Sequence, residues 1–305
     1  MRKGYDKLEG VNQSFLKKMF GSTSEITKDK KNKGMMIGDA VDTLMFAPDT
    51  FDKKFALYEG GIPTANAKLI IDEGFKTGEF FDNLIEVTRY LGLYPKYSDT
   101  SVWNKLNPFE DYYNLMRDGI TLFDSEDFEK IHSTKYNLET SYTSEVVEFL
   151  NKYGDTQKIL SSELLGLQCK GLADWYYENN TDKPVTFGQI TVQPGSLLIA
   201  DLKVGRYNPE NVEKFIKEWD TGFQLTFYSL LAKYMTGLTI TNPVVVYANA
   251  NNNNTCYYQM PDSLLKESWE KIKECVKIYK QYDGDYSIHY RIKKNEGLIK
   301  PYLWK

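Results

Sequence analysis

The chain has 305 residues, 41% hydrophobic and 14% aromatic, enough for one large core or two modest ones. Its net charge of −4 does not advertise a nucleic-acid binder, although local patches matter more than the sum. Cys169, Cys256 and Cys275 are odd in number and far apart, which argues against a C-x-x-C metal cluster and fits a reducing cytoplasm.

The first residues, Met1 to Asp6, lack the apolar stretch of a secretory signal, and no apolar run approaches the roughly 18 residues of a membrane span. The two histidines, His132 and His289, sit in no triad or metal spacing. Without a G-x-S-x-G elbow or a Walker loop, a nucleophilic hydrolase and an ATPase are both poorly supported.

In chain order, Ser14 to Phe20 reads as a short amphipathic helix, and Lys28 to Lys33 as a basic loop, either solvated or touching phosphate. Met36 to Phe46 reads as a helix with Ile37, Val41, Leu44 and Met45 on one stripe, ended by Pro48. Residues 51–154 look mostly helical, with Gly119 to Asp127 an extended piece feeding a Ser-capped helix.

From Ile159 the pattern turns to strands. Ser161-Ser162-Glu163 offers an acid, and Cys169 to Tyr177 reads as a strand carrying Asp174. Turn chemistry at Asn179 to Pro184 and at Pro194-Gly195 leads to the run Leu197 to Lys203. In a strand, Ile199, Asp201 and Lys203 share one face. An acid and a lysine ending an apolar strand are costly to desolvate without partners. An ordinary ion pair is one answer; a metal-binding carboxylate beside a lysine that handles water or phosphate is the other. Neighbouring strands could bring Asp174 and Asp201 together. Two carboxylates about 4 Å apart repel by roughly 4 kcal/mol at an effective dielectric near 20, so a cation between them, or a proton, is required. Hard oxygen donors suit Mg²⁺ or Mn²⁺.

Beyond Lys203, Asn208-Pro209 reads as a helix start, with Val212, Phe215, Ile216 and Trp219 forming a buried stripe. A second helix runs from about Thr221 to Met235, with Phe223, Phe227, Leu230 and Tyr234 inward; Gln224 and Tyr228, four apart, share a face. Pro243 to Ala248 reads as a buried strand, Asn251 to Asn254 as a loop tip, and Leu264 to Tyr282 as a long helix. The tail from Arg291 to Lys305 is basic and aromatic, suited to packing or to contact with DNA.

The ordered set Gly171-Leu172-Ala173-Asp174, Asp201-Leu202-Lys203 and Gln224 to Tyr228 resembles the PD-(D/E)XK nuclease pattern, and within it the RecE-like and RecB-like exonucleases. The resemblance implies an α/β fold: a restriction-endonuclease-like core, with a central mixed β-sheet flanked by helices, and a large helical N-terminal part. It implies a single nuclease domain over 1–305, helical to 158 and carrying the catalytic sheet from 159. Asp174, Asp201 and the Leu202 carbonyl would hold Mg²⁺ or Mn²⁺, with Glu163 as an added ligand. Lys203 would orient or deprotonate the attacking water, and Gln224 and Tyr228 would face the DNA backbone. Relatives carry Gly-x-x-x-His where this chain has Gly38 to Asp42, so Asp42 would replace the metal-binding His, with Asp39 one turn away. The implied activity is exonuclease digestion of linear double-stranded DNA in phage-type recombination, with a single-strand annealing partner and ring-shaped homo-oligomers among relatives. An inactive nuclease-fold binding module and an endonuclease are the alternatives.

Overall fold

The computed structural model describes residues 2–19, 33–63 and 65–285. The basic loop before Lys33, the tail after Asp285 and His289 lie outside the described residues. The chain divides into two compact units, one of residues 33–135 and the other of 1–32 with 136–305.

The chain opens with two short helices, α1 (Arg2–Asp6) and α2 (Gln13–Met19). The Asn12 side chain caps α2 by accepting from the Phe15 N–H at 2.9 Å. The 33–135 unit follows with α3 (Lys33–Phe46), β1 (Phe55–Leu57), α4 (Ala65–Thr77), α5 (Leu84–Tyr90), α6 (Asp99–Leu106), α7 (Glu110–Arg117) and β2 (Thr121–Phe123). Strands β1 and β2 pair in parallel. Ile70, Ile71, Leu84, Leu106 and Tyr113 form this unit's core. The next helix, α8 (Ser125–Thr140), carries the division between the units. Its cap is Asp124, not the expected Ser125: the Asp124 carboxylate accepts the Asp127 N–H at 2.9 Å. A carboxylate at a helix N-terminus also meets the positive end of the helix dipole.

The other unit holds a mixed sheet. Its strands are β3 (Asp155–Leu164), β4 (Leu167–Asn179), β7 (Ser196–Gly205), β8 (Thr239–Ile240), β9 (Val244–Asn249) and β10 (Thr255–Gln259), after helix α9 (Ser144–Tyr153). A separate small hairpin, β5 (Val185–Phe187) and β6 (Ile190–Val192), lies between β4 and β7. The main order is β10-β9-β7-β4-β3, with β8 beside β7. Strands β7 and β9 are parallel because α10 (Val212–Glu218) and α11 (Thr221–Thr236) carry the chain across between them. The β3–β4 hairpin turns at Leu165 and Gly166, both with positive φ, the requirement of a tight two-residue hairpin turn.

Helices α2, α11 and α12 (Asp262–Gln281) cover one sheet face, burying Leu16, Met19, Ile199, Phe223, Phe227 and Ile272 in a common core. On α9, Asn151 accepts the indole N–H of Trp175 at 2.8 Å. Two expected core positions are half out: Trp219 and Tyr234 are exposed because each stands at the last turn of its helix. Asn208 does not cap the following turn; its side-chain oxygen instead accepts from Asn252 at 2.9 Å.

Candidate active site

The site begins where two strands stop pairing. Strands β4 and β7 are matched from Asn179↔Ser196 to Trp175↔Ala200, and there the ladder ends although both strands continue. Asp174 and Asp201 are the next residues on each side of that fork. The next ladder bond is replaced: Asp174 Oδ2 accepts the Leu202 N–H at 2.8 Å. The N–H and C=O of one residue share a strand edge in antiparallel pairing, so the Leu202 carbonyl faces the same opening.

Asp174 is aimed sideways by an irregularity. Ala173 and Tyr176 both join the core beneath α11, whereas Trp175 reaches α9, so strict alternation fails around Asp174. Across the hairpin, Gln157 sits mid-strand at φ 51, the left-handed region that costs a non-glycine residue about 1–2 kcal/mol. Its side-chain amide donates to Asp174 Oδ1 at 3.0 Å. Strand irregularities of this kind re-aim side chains at functional sites.

Asp201 is 2% exposed and ion-paired through Oδ2 to Lys203, which is 25% exposed. Gln224 on α11 donates to Asp201 Oδ1 at 2.8 Å. One turn on, buried Tyr228 lies against Gly171, where an added Cβ would stand 2.7 Å from a Tyr228 ring carbon. Glycine is needed there for the helix to approach the strand. Burial raises the Tyr228 phenol well above its ordinary range, with Asp201 and Asp174 adding to the shift and a hydrogen bond with Gln224 opposing it. Tyr228 is therefore a neutral phenol at any physiological pH.

Asp174, Asp201, Leu202, Lys203, Gln224 and Tyr228 thus converge on one opening. Glu163 does not join them. It is exposed and pairs with Gln168 beside the hairpin turn, six residues along β4 from Asp174, or roughly 20 Å of strand. The residue facing Asp174 is Gln157, which sequence reasoning passed over. The hairpin makes it findable: Gln157 and Asp174 are each eight residues from the Leu165–Gly166 turn. Asp42 stands half-buried on α3, with Asp39 on the same helix, in the 33–135 unit.

The family model that matches this chain is described as a PDDEXK-like domain of unknown function (DUF3799), and the match spans residues 121–285. That is more than half of the chain. This protein belongs to the PDDEXK-like family. Its mixed sheet flanked by helices is the restriction-endonuclease-like core of that family. Among solved structures, a Eubacterium rectale protein named "Putative exonuclease" is 14% identical with a TM-score of 0.38, covering 85% of this chain and 88% of its own. A second, SSO0001, is 14% identical with a TM-score of 0.25, covering 56% of this chain and 69% of its own. No curated protein matches the sequence.

The donor set of this PDDEXK-like site fits a hard divalent ion. Each oxygen of Asp174 and Asp201 is engaged by a hydrogen bond or ion pair, and a carboxylate oxygen can accept more than one partner. Mg²⁺ is usually held by one or two carboxylates, with waters and substrate phosphates completing its shell. Among the described residues, no group of three or more His, Cys, Asp or Glu stands together as a metal cage. Nor, among them, is any helix long and apolar enough to cross a membrane.

Proposed function

We propose that this protein is a metal-dependent deoxyribonuclease of the RecE-like and RecB-like kind, an exonuclease on linear double-stranded DNA. The supporting observation is the fork between β4 and β7, where Asp174, Asp201, the Leu202 backbone and Lys203 share one opening beneath Gln224. Asp174, Asp201 and the Leu202 carbonyl would hold Mg²⁺ or Mn²⁺, which supplies Lewis-acid polarisation and a more acidic bound water when present. Lys203, anchored to Asp201, is placed to orient a water for in-line attack and to balance charge growing on the phosphate. The Gln224 amide fixes the Asp201 carboxylate, and Gln157 fixes that of Asp174, so neither has to reorganise as charge develops. A phage-type recombination role, an annealing-protein partner and a cytoplasmic setting accompany this reading as part of the same proposal.

The test is digestion of linear and circular DNA with Mg²⁺ by wild type, Asp201→Ala and Lys203→Ala. Wild type should consume linear DNA and spare closed circles, and each variant should lose about 10²–10³-fold or more. Wild type leaving linear DNA intact sinks the enzyme reading, and loss of circles makes it an endonuclease.

One observation favours a second reading, a non-cutting binding module. The position facing Asp174 holds the neutral Gln157, which leaves two acids at the opening. Calorimetric Mg²⁺ titration separates the readings: binding lost in Asp174→Asn supports the enzyme, and no binding in wild type supports the module.

A further inference from the structure

The fork leaves part of the β4 edge unpaired by β7, and the N-terminal segment fills it. Val11 pairs in parallel with Cys169: its N–H donates to the Gln168 carbonyl at 2.9 Å, and the Lys170 N–H donates to its carbonyl at 3.0 Å. Two residues later α2 starts, and it packs on α11. Lys17 is thereby carried to the beginning of α11, within electrostatic reach of Asp220, Asp201 and Lys203. Its ammonium lies 5.7 Å from the Phe223 ring centroid, one residue before Gln224.

Lys17 has donors to spare. It is half-buried, and among the described residues its one hydrogen bond is to the Trp219 carbonyl at a long 3.4 Å. An ammonium has three N–H donors, so at this exposed bond two remain to water or to an anionic ligand. The acids nearby already have cations: Asp220 is 3.5 Å from Lys271, and Asp201 is paired with Lys203.

We propose that Lys17 grips a backbone phosphate of the DNA strand lying in the Asp174–Asp201 opening. A phosphate oxygen supplies a paired anionic acceptor that the protein does not, at the start of α11, one residue from Gln224. Lys17 is then a binding residue, separate from the carboxylates and from Lys203, and its role rests on the nuclease reading above. Burial also pushes the Lys17 ammonium down to about 8, against Asp220 and Asp201 and with Lys203 and Lys271 adding to the effect. A bound phosphate would reverse that shift.

The experiment measures binding of a fluorescent linear duplex without divalent ion, across a salt series, for wild type, Lys17→Met and Lys17→Arg. Removal of one phosphate contact should weaken binding roughly tenfold and flatten the log–log salt slope by about 1 in Lys17→Met, while Lys17→Arg keeps the slope. With Mg²⁺, Lys17→Met should raise KM and leave kcat within about threefold. Wild-type affinity should fall as pH rises through about 8, where Lys17 loses its charge, and Lys17→Arg should not follow it. Where Lys17→Met melts early, Lys17→Gln carries the same comparison. Unchanged affinity and slope in the neutral variants overturn the proposal and leave the nuclease reading standing. Absence of DNA binding by wild type overturns both.

Discussion

From Ser196 to Ala200, β7 pairs residue for residue with β4 and is fully buried; from Asp201 onward the same strand faces Asp174 across an opened edge. In the first half, backbone groups satisfy one another, and Leu197, Leu198, Ile199 and Ala200 exclude water. In the second, carboxylates, amides and an ammonium take over the hydrogen bonding. The backbone stays satisfied because Asp174 accepts the Leu202 N–H and Val11 covers the β4 edge. One sheet thus provides an end closed by its own ladder, and an end where side chains take the place of the missing rungs.

The comparison predicts that damage separates by half. Trp175, fully buried beside the last rung, anchors the closed half through Asn151. Trp175→Ala should cost about 3–5 kcal/mol, read as a lowered urea midpoint, with KM of the remaining folded protein little changed. A large KM change would show that the halves are not mechanically separate.

Gly171 tests the join between them. A methyl there meets the Tyr228 ring at 2.7 Å and Leu231 at 3.4 Å, contacts that only a shift of α11 can relieve. Gly171→Ala should cost about 1–3 kcal/mol and lower cleavage as Gln224 moves off Asp201. Adding Tyr228→Leu should recover part of the stability and none of the activity, read by paired denaturation and rate assays.

The smallest effect on stability belongs to Gln157. Gln157→Gly relieves left-handed strain of about 1–2 kcal/mol but loses the hydrogen bond to Asp174 and adds chain entropy, so net stability should move by less than about 1 kcal/mol. Metal affinity, by calorimetry, should still fall roughly tenfold. A strongly stabilised variant with intact metal binding would show that the strain serves no purpose at the site.

Much of this was readable beforehand. The alternation through Leu197 to Lys203 puts Asp201 and Lys203 on one face, and four-residue spacing puts Gln224 and Tyr228 on one side of α11. Both periodicities are local properties of a single element. Glu163 was misplaced because an acid near the start of a strand says nothing about register; the Leu165–Gly166 turn sets it opposite Gln168. Ser125 lost the cap to Asp124 because either can bond that N–H, and a one-residue difference in where the helix starts decides which does.

Periodicity and turn chemistry were thus sufficient to give strands β4, β7 and β9, helices α10, α11 and α12 and the acid–lysine pair, since each depends on neighbours within a few residues, whereas the β5–β6 hairpin and β10 went unread. Where the ladder between β4 and β7 stops, which side chain fills the missing rung, that Gln157 meets Asp174, that Val11 pairs with Cys169 and that Lys17 reaches the start of α11 could be learned only from the folded chain. Those facts depend on pairings between residues as far apart as Val11 and Cys169, and a linear pattern carries no record of such distances.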